Sequence, residues 1–187
     1  MMWWIWIIIA IIVIYLILLW SYHNLFVSLS NRIQNSFAQI DVQLKKRADL
    51  VPNLVETVKG YAKHEKGIMT EVTSAHKALV SANASNDMGA RVKAGDALQN
   101  VLGRLFALGE AYPNLKANEN FLNLQQELAA IEDKVAYSRQ FYNDSILRFD
   151  NAVKMFPGNM FAGKYKDQTG KYIKIPEAER QPVKVKF

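Results

Sequence analysis

Few side chains in this 187-residue sequence are equipped for chemistry. Histidine occurs three times, as His23, His64 and His76. None belongs to an HExxH pair, so the zinc-protease pattern of two histidines and a glutamate on one helix face is missing. No Glu-x-x-His occurs either, which removes the di-iron pattern that a helical bundle can house. The histidines read as polar surface or capping groups. Cysteine is absent, so disulfides, thiolate metal sites and a lipidated cysteine are excluded. The run Gly158-Asn159-Met160-Phe161-Ala162-Gly163-Lys164-Tyr165 imitates a phosphate loop for seven residues. It then offers Tyr165 where a serine or threonine hydroxyl must bind magnesium, and it follows a helical pattern rather than a strand. No enzyme activity, metal or cofactor is expected from these residues.

What remains is a concentration of charge and amide. Asp41, Lys45, Lys46, Arg47, Asp49, Asn53 and Glu56 crowd one stretch. Arg104 and Glu110, followed by Asn114, Asn118 and Asn120, crowd another. Helices usually end before a proline, so Pro52 places the first group at a helix turn-around. The structural reading is capping and pairing between helices. The functional reading is a docking patch for a protein partner.

The elements that would position these groups begin with an anchor. Met1 to Asn31 holds no Asp, Glu, Lys or Arg, and twelve of the positions from Trp3 to Trp20 are Ile, Leu or Val. At about 1.5 Å per residue, residues 1–20 span about 30 Å, the thickness of a bilayer's hydrocarbon core. On an insertion scale twelve such residues favour the bilayer by about 4–7 kcal/mol. Trp3, Trp4 and Trp6 at one end, and Trp20 and Tyr22 at the other, form paired interfacial belts. A cleavable signal peptide would need a basic start and a small-residue cleavage site, and neither is present. The expected location is the cell membrane, crossed once. Arg32, then Lys45, Lys46 and Arg47, follow the apolar run, which favours an outside N-terminus and a cytoplasmic body.

From Asn24 the apolar residues take helical spacing. Leu25, Leu29, Ile33, Phe37, Ile40 and Leu44 step by three or four, and no Pro or Gly precedes Pro52. A second helix is expected over 53–82, a third over 88–112 and a fourth over about 121–156. The fourth carries a seam at Phe121, Leu124, Leu128, Ile131, Val135, Ser138, Tyr142, Ser145, Phe149, Ala152 and Phe156. So sustained a seam points to coiled-coil-like packing. Gly95, Gly103 and Gly109 weaken the third helix but permit close helix approach. The fold class expected is all-α. A transmembrane helix (1–23) continues into an antiparallel four-helix bundle of long helices (24–157), followed by a basic tail (158–187). In the tail, Lys164–Lys166 and Tyr172–Ile175 flank a turn-like run and predict a short β-hairpin.

The formal charge is +6, and from Pro157 onward seven Lys or Arg face three Asp or Glu. A basic tail beside a membrane anchor suits anionic headgroups or an acidic partner. Nucleic acid is not expected, because the rest of the chain is nearly balanced and shows no basic stripe with interleaved aromatics.

Two longer stretches resemble a known family. They are Ile40-Asp41-Val42-Gln43-Leu44-Lys45-Lys46-Arg47-Ala48-Asp49-Leu50-Val51-Pro52-Asn53-Leu54-Val55-Glu56-Thr57-Val58-Lys59-Gly60-Tyr61-Ala62 and Gly103-Arg104-Leu105-Phe106-Ala107-Leu108-Gly109-Glu110-Ala111-Tyr112-Pro113-Asn114-Leu115-Lys116-Ala117-Asn118. Both look like the signatures of the LemA family. The resemblance implies a bacterial single-pass membrane protein with a four-helix body in the cytoplasm. It brings no catalytic residues. It also implies a partner, since members often accompany a membrane metalloprotease of the HtpX type. The function expected is therefore a non-catalytic scaffold or adaptor working through partners or as a homo-oligomer. The alternative is a lipid-interacting or membrane-shaping module built on the basic tail and the tryptophan-rich anchor.

Overall fold

The structure, a computed structural model, describes residues 2–62, 64–85 and 87–174, without the side chains at 167 and 168. Every regular element among them is helical. In chain order these are α1 (Trp3–Tyr61), α2 (Lys66–Ala84), α3 (Met88–Gly109), α4 (Pro113–Lys116), α5 (Glu119–Lys154), α6 (Gly158–Phe161) and a 3₁₀ helix (Gly163–Gln168). They form two compact units. One combines Met1–Phe37 with Gln140–Tyr172, the other Ala38–Arg139 with the chain from Ile173. Both α1 and α5 contribute to each.

Helix α1 starts as the hydropathy demands. Residues 3–20 are all exposed, and the helix is long and apolar enough to cross a membrane. So much contiguous exposed apolar surface is untenable in water. Further along, the expected stop at Pro52 does not occur. Pro52 lies inside α1, and the chain turns only after Tyr61. Proline has no N–H, so the carbonyl one turn back, that of Ala48, loses its helical donor. His76 of α2 replaces it: its Nε2 lies 3.0 Å from the Ala48 oxygen. The kink penalty is thereby offset, and Pro52 keeps its ring exposed. This is also the task of His76, which the sequence left as a generic polar group.

The first unit has an aromatic core. Phe26, Phe149, Val153, Ala162 and Tyr165 are buried, with Tyr22, Leu29 and Ile33 packed around them. Phe26 leads the α1 stripe here, while Leu25 stays exposed. Helix α5 runs antiparallel to α1: Tyr142 meets Phe37, and Phe149 reaches the cluster around Phe26. Two of the three seam positions of α5 that are serine or tyrosine are accounted for here. Ser145 is fully buried and shares a 3.0 Å hydrogen bond with buried Ser36, and the Tyr142 hydroxyl donates to the Lys171 carbonyl at 3.0 Å. At the corner between α5 and α6, Gly158 is buried, and a Cβ there would overlap the Ala152 carbonyl oxygen. The corner closes only around a glycine.

The first arm of the expected hairpin is not a strand. Residues Lys164–Lys166 lie in the 3₁₀ helix, because Tyr165 is drawn into the aromatic cluster, its ring 5.0 Å from that of Phe26. An isolated two-stranded hairpin is marginal, and burying a ring outweighs it. In the second arm Tyr172 to Lys174 form no strand, and Ile175 lies outside the described residues.

The second unit is aliphatic at its centre. Ile40, Leu44, Leu54 and Val58 of α1, Leu79 of α2, Leu98, Leu102 and Leu105 of α3 and Val135 of α5 are fully buried. Each lies on the stripe expected from the 3.6-residue period. Two of the three glycines singled out in α3 do admit a neighbour. A Cβ on Gly95 would stand 2.7 Å from Leu44 Cδ2, and one on Gly109 would stand 2.8 Å from Phe121 Cζ. Gly103 has nothing within 4 Å. Asp87 caps α3, accepting from the Gly89 and Ala90 amides at 2.8 and 3.2 Å. Asn118 caps α5 through the Phe121 amide at 2.9 Å.

Candidate functional site

Because α1 continues through Pro52, the charged group from Asp41 to Glu56 sits on a helix shaft and not at a turn-around. Its members divide by face. Arg47 points inward and is fully buried. Its guanidinium pairs with Glu132 of α5 and donates to the Gly95 carbonyl of α3 at 3.1 Å. One side chain thus ties three helices. Burial, with the positive charge of nearby Arg139, pushes the Arg47 guanidinium down to about 10, and Asp96 opposes this. Arg139 in turn pairs with Asp96. Asp41 pairs with Arg91, whose Nε also donates to the Ser85 carbonyl at 2.9 Å. Burial pushes the Asp41 carboxyl above the usual carboxylate range, against the pull of Arg91.

The other members face out. Lys45 approaches Asp49 at 3.9 Å, and Glu56 bonds Lys59 at 2.7 Å, both exposed. In the second group Arg104 pairs with Glu71 and Glu110 with Lys116, again in the open. Exposed pairs of this kind contribute little to stability.

Two of the outward residues, Lys46 and Asp49, share a concavity. Lys46, Asp49 and Leu50 of α1 and Glu127, Ala130, Ile131 and Lys134 of α5 line a groove of about 400 Å³. It is continued by a second hollow of about 300 Å³ between Asn53 and Thr57 of α1 and Asn120, Asn123, Leu124 and Glu127 of α5. Higher α1 numbers meet lower α5 numbers, so the two helices are antiparallel here also. The floor is apolar and the rim mixes charge and amide. A larger hollow of about 560 Å³ lies between the end of α1 and α2, with Lys59, Lys66 and Lys77 on its rim. Its two threonine hydroxyls are occupied: Thr70 and Thr73 donate to the Lys66 and Met69 carbonyls, each at 2.8 Å.

None of these hollows gathers reactive groups. Among the described residues, no group of three or more His, Asp or Glu side chains is placed to hold a metal ion. His64 is exposed in the turn after α1, and His23 lies 3.4 Å from the Tyr165 hydroxyl. The phosphate-loop imitation is split between α6 and the 3₁₀ helix.

Arg91, Asp96, Glu132 and Arg139 were not singled out in the sequence, and neither was one further residue. Asp150 is almost wholly buried in the first unit, where it accepts from Lys154 Nζ at 2.8 Å, the Gly170 amide at 3.1 Å and the Tyr172 hydroxyl at 3.4 Å. The hydrogen bond from Lys154 raises that residue's pKa. The only signal in the sequence is the (i, i+4) spacing to Lys154, which any surface pair would share.

Comparison with known proteins matches residues 36–187 to the LemA family. The chain belongs to the LemA family. It is 24% identical over 163 residues to the magnetosome protein MamQ of Magnetospirillum gryphiswaldense, covering 75% of this chain and 60% of that protein. It is 25% identical over 153 residues to the protein LemA of Metamycoplasma hominis, covering 82% of this chain and 69% of that protein. The chain thus spans about 60% of the length of the MamQ proteins it matches. The matched region takes in both charged groups, including the Arg47 network and the α1–α5 groove.

Proposed function

We propose that this LemA-family protein is a single-pass membrane-anchored adaptor without catalytic activity. Its body works as an antiparallel four-helix bundle that docks protein partners or further copies of itself. Residues 3–20 supply the anchor, with Trp3, Trp4 and Trp6 at one interface and Trp20 and Tyr22 at the other. Arg32 is the first cation after it, which favours an outside N-terminus and a cytoplasmic body. A membrane metalloprotease of the HtpX type is the partner that family resemblance brings forward.

The observation that carries this reading is how the charges are used. Inside the second unit they are spent on helix pairing, and what stays open is the α1–α5 groove with an apolar floor. Such a groove takes the apolar face of a helix. Its rim is also self-complementary. Lys46 and Lys134 close one end, and Asp49 and Glu127 come next along the groove. A second copy laid antiparallel puts lysines over carboxylates, the isologous arrangement of a two-fold dimer.

The test is a photo-crosslinking amino acid at Ala130 in the groove, compared with one at exposed Ala97 of α3, in native membranes. The adaptor reading expects an adduct of defined mass from position 130 and none from 97. No adduct from position 130, or equal and heterogeneous labelling at both, overturns it.

A further inference from the structure

The corner that joins α5 to α6 is apolar and exposed where a water-soluble corner would be polar. Met155, Phe156 and Met160 have 61%, 80% and 68% of their surface open. Residues 155–163 carry no charge, and Lys154 and Lys164 bracket them. Within the first unit this corner lies against the apolar part of α1. The Phe161 ring stacks on Tyr22 at 5.3 Å, nearly parallel, and meets Tyr15 at 5.9 Å. Tyr15 precedes Trp20 by five residues, so it stands about 7 Å further into the apolar run. Phe161 therefore bridges the Trp20 belt, with Tyr22 on its body side and Tyr15 on the side of Ile and Leu.

We infer that the corner Met155–Gly163 is a second membrane contact. It lowers Met155, Phe156 and Met160 into the leaflet from which α1 emerges, while Lys154 and Lys164 reach its headgroups. The inference rests on reading residues 3–20 as the membrane span. Its own ground is the depth set by the Phe161 contacts with Tyr22 and Tyr15 and the exposed apolar side chains at the corner. Aromatic and thioether side chains bracketed by lysines have the composition of an interfacial insertion. The corner explains why α5 carries its seam as far as Ala152 and then turns so tightly. A longer α5 would carry Lys164 and Lys166 towards hydrocarbon.

The chain has no cysteine, so single-cysteine variants label at one place only. Phe156→Cys and Met160→Cys test the corner, Ile9→Cys reports the span, and Asp144→Cys reports exposed α5 about 15 Å back from the corner. Each full-length protein carries an environment-sensitive fluorophore in phosphatidylcholine–phosphatidylglycerol vesicles. The quenchers are lipids bearing a nitroxide near the headgroup or deep in the chain, and aqueous iodide. The expected result is quenching of positions 156 and 160 by the shallow nitroxide several-fold more strongly than 144, unchanged as protein is diluted in lipid. Position 9 responds to the deep nitroxide. If 156 and 160 behave like 144 while 9 is quenched by lipid, the corner faces water and the inference fails with the anchor intact. If 156 and 160 are shielded from both nitroxide and iodide, protein covers the corner and the inference also fails. If 9 too behaves like 144, the span reading and the inference fall together.

Discussion

Around Phe26 the first unit is held by rings, and around Arg47 the second is held by charges. Both hold antiparallel stretches of α1 and α5 together. The first does so with Phe26, Phe149 and Tyr165, one buried serine pair and one buried carboxylate. The second uses an aliphatic centre into which Arg47–Glu132, Arg139–Asp96 and Arg91–Asp41 are set. Rings fill space without fixing register strongly, since neighbouring rings of similar shape can trade places. A buried guanidinium with one carboxylate and one carbonyl in reach permits a single register. The unit that must present a shaped groove is the one whose register is fixed by charge.

The comparison breaks most visibly at Arg47. Arg47→Ala leaves the Glu132 carboxylate and Gly95 carbonyl without their donor, and a loss of about 3–5 kcal/mol is expected in denaturant unfolding. Replacing both partners, Arg47→Met with Glu132→Leu, should recover most of that loss while loosening the fit of the groove. A mild effect of the single change would show that the charges are not what holds the second unit.

In the first unit the counterpart is Gly158→Val. Its side chain must displace the Ala152 carbonyl, at a cost of about 1–3 kcal/mol. Hydrogen exchange should quicken over residues 146–168, while the amides around Arg47 keep their protection. His76→Ala is next: it strips the Ala48 carbonyl of its replacement donor and should cost about 1–2 kcal/mol, with faster exchange near Pro52. Tyr142→Phe removes the bond to the Lys171 carbonyl and should cost about 1 kcal/mol. At the small end, Lys46→Gln on the exposed rim should change stability by less than about 0.5 kcal/mol yet weaken the crosslink from position 130. A stability loss without a crosslinking loss would reverse the roles given to the two faces of α1.

How much of this was legible beforehand depends on the kind of residue. Apolar period carries the seam of α5, where seven of the eleven seam residues are buried and only Phe156, beyond the helix end, is exposed. Pro52 was misleading because a proline's effect on a helix depends on a donor 24 residues away, His76. Charge was the least legible. Arg47 and Lys46 are neighbours in sequence and identical in formal charge, yet one is fully buried and the other lines an open groove. Only the helix phase against α3 and α5 separates them. Asp150 was invisible for the same reason, since two of its donors lie about 20 residues further on.

Asp150 has a practical consequence for anyone trimming the C-terminus. A chain cut back to Ala162 would lose Gly170 and Tyr172 and leave a carboxylate in an apolar niche with Lys154 alone. Its neighbour Tyr165 would be gone from the ring cluster as well. A deletion phenotype in that stretch would report a damaged scaffold before it reported a missing binding segment. Charge reversals at exposed Lys166 and Lys174, which leave the backbone in place, are the cleaner instrument for asking what the basic end recognises.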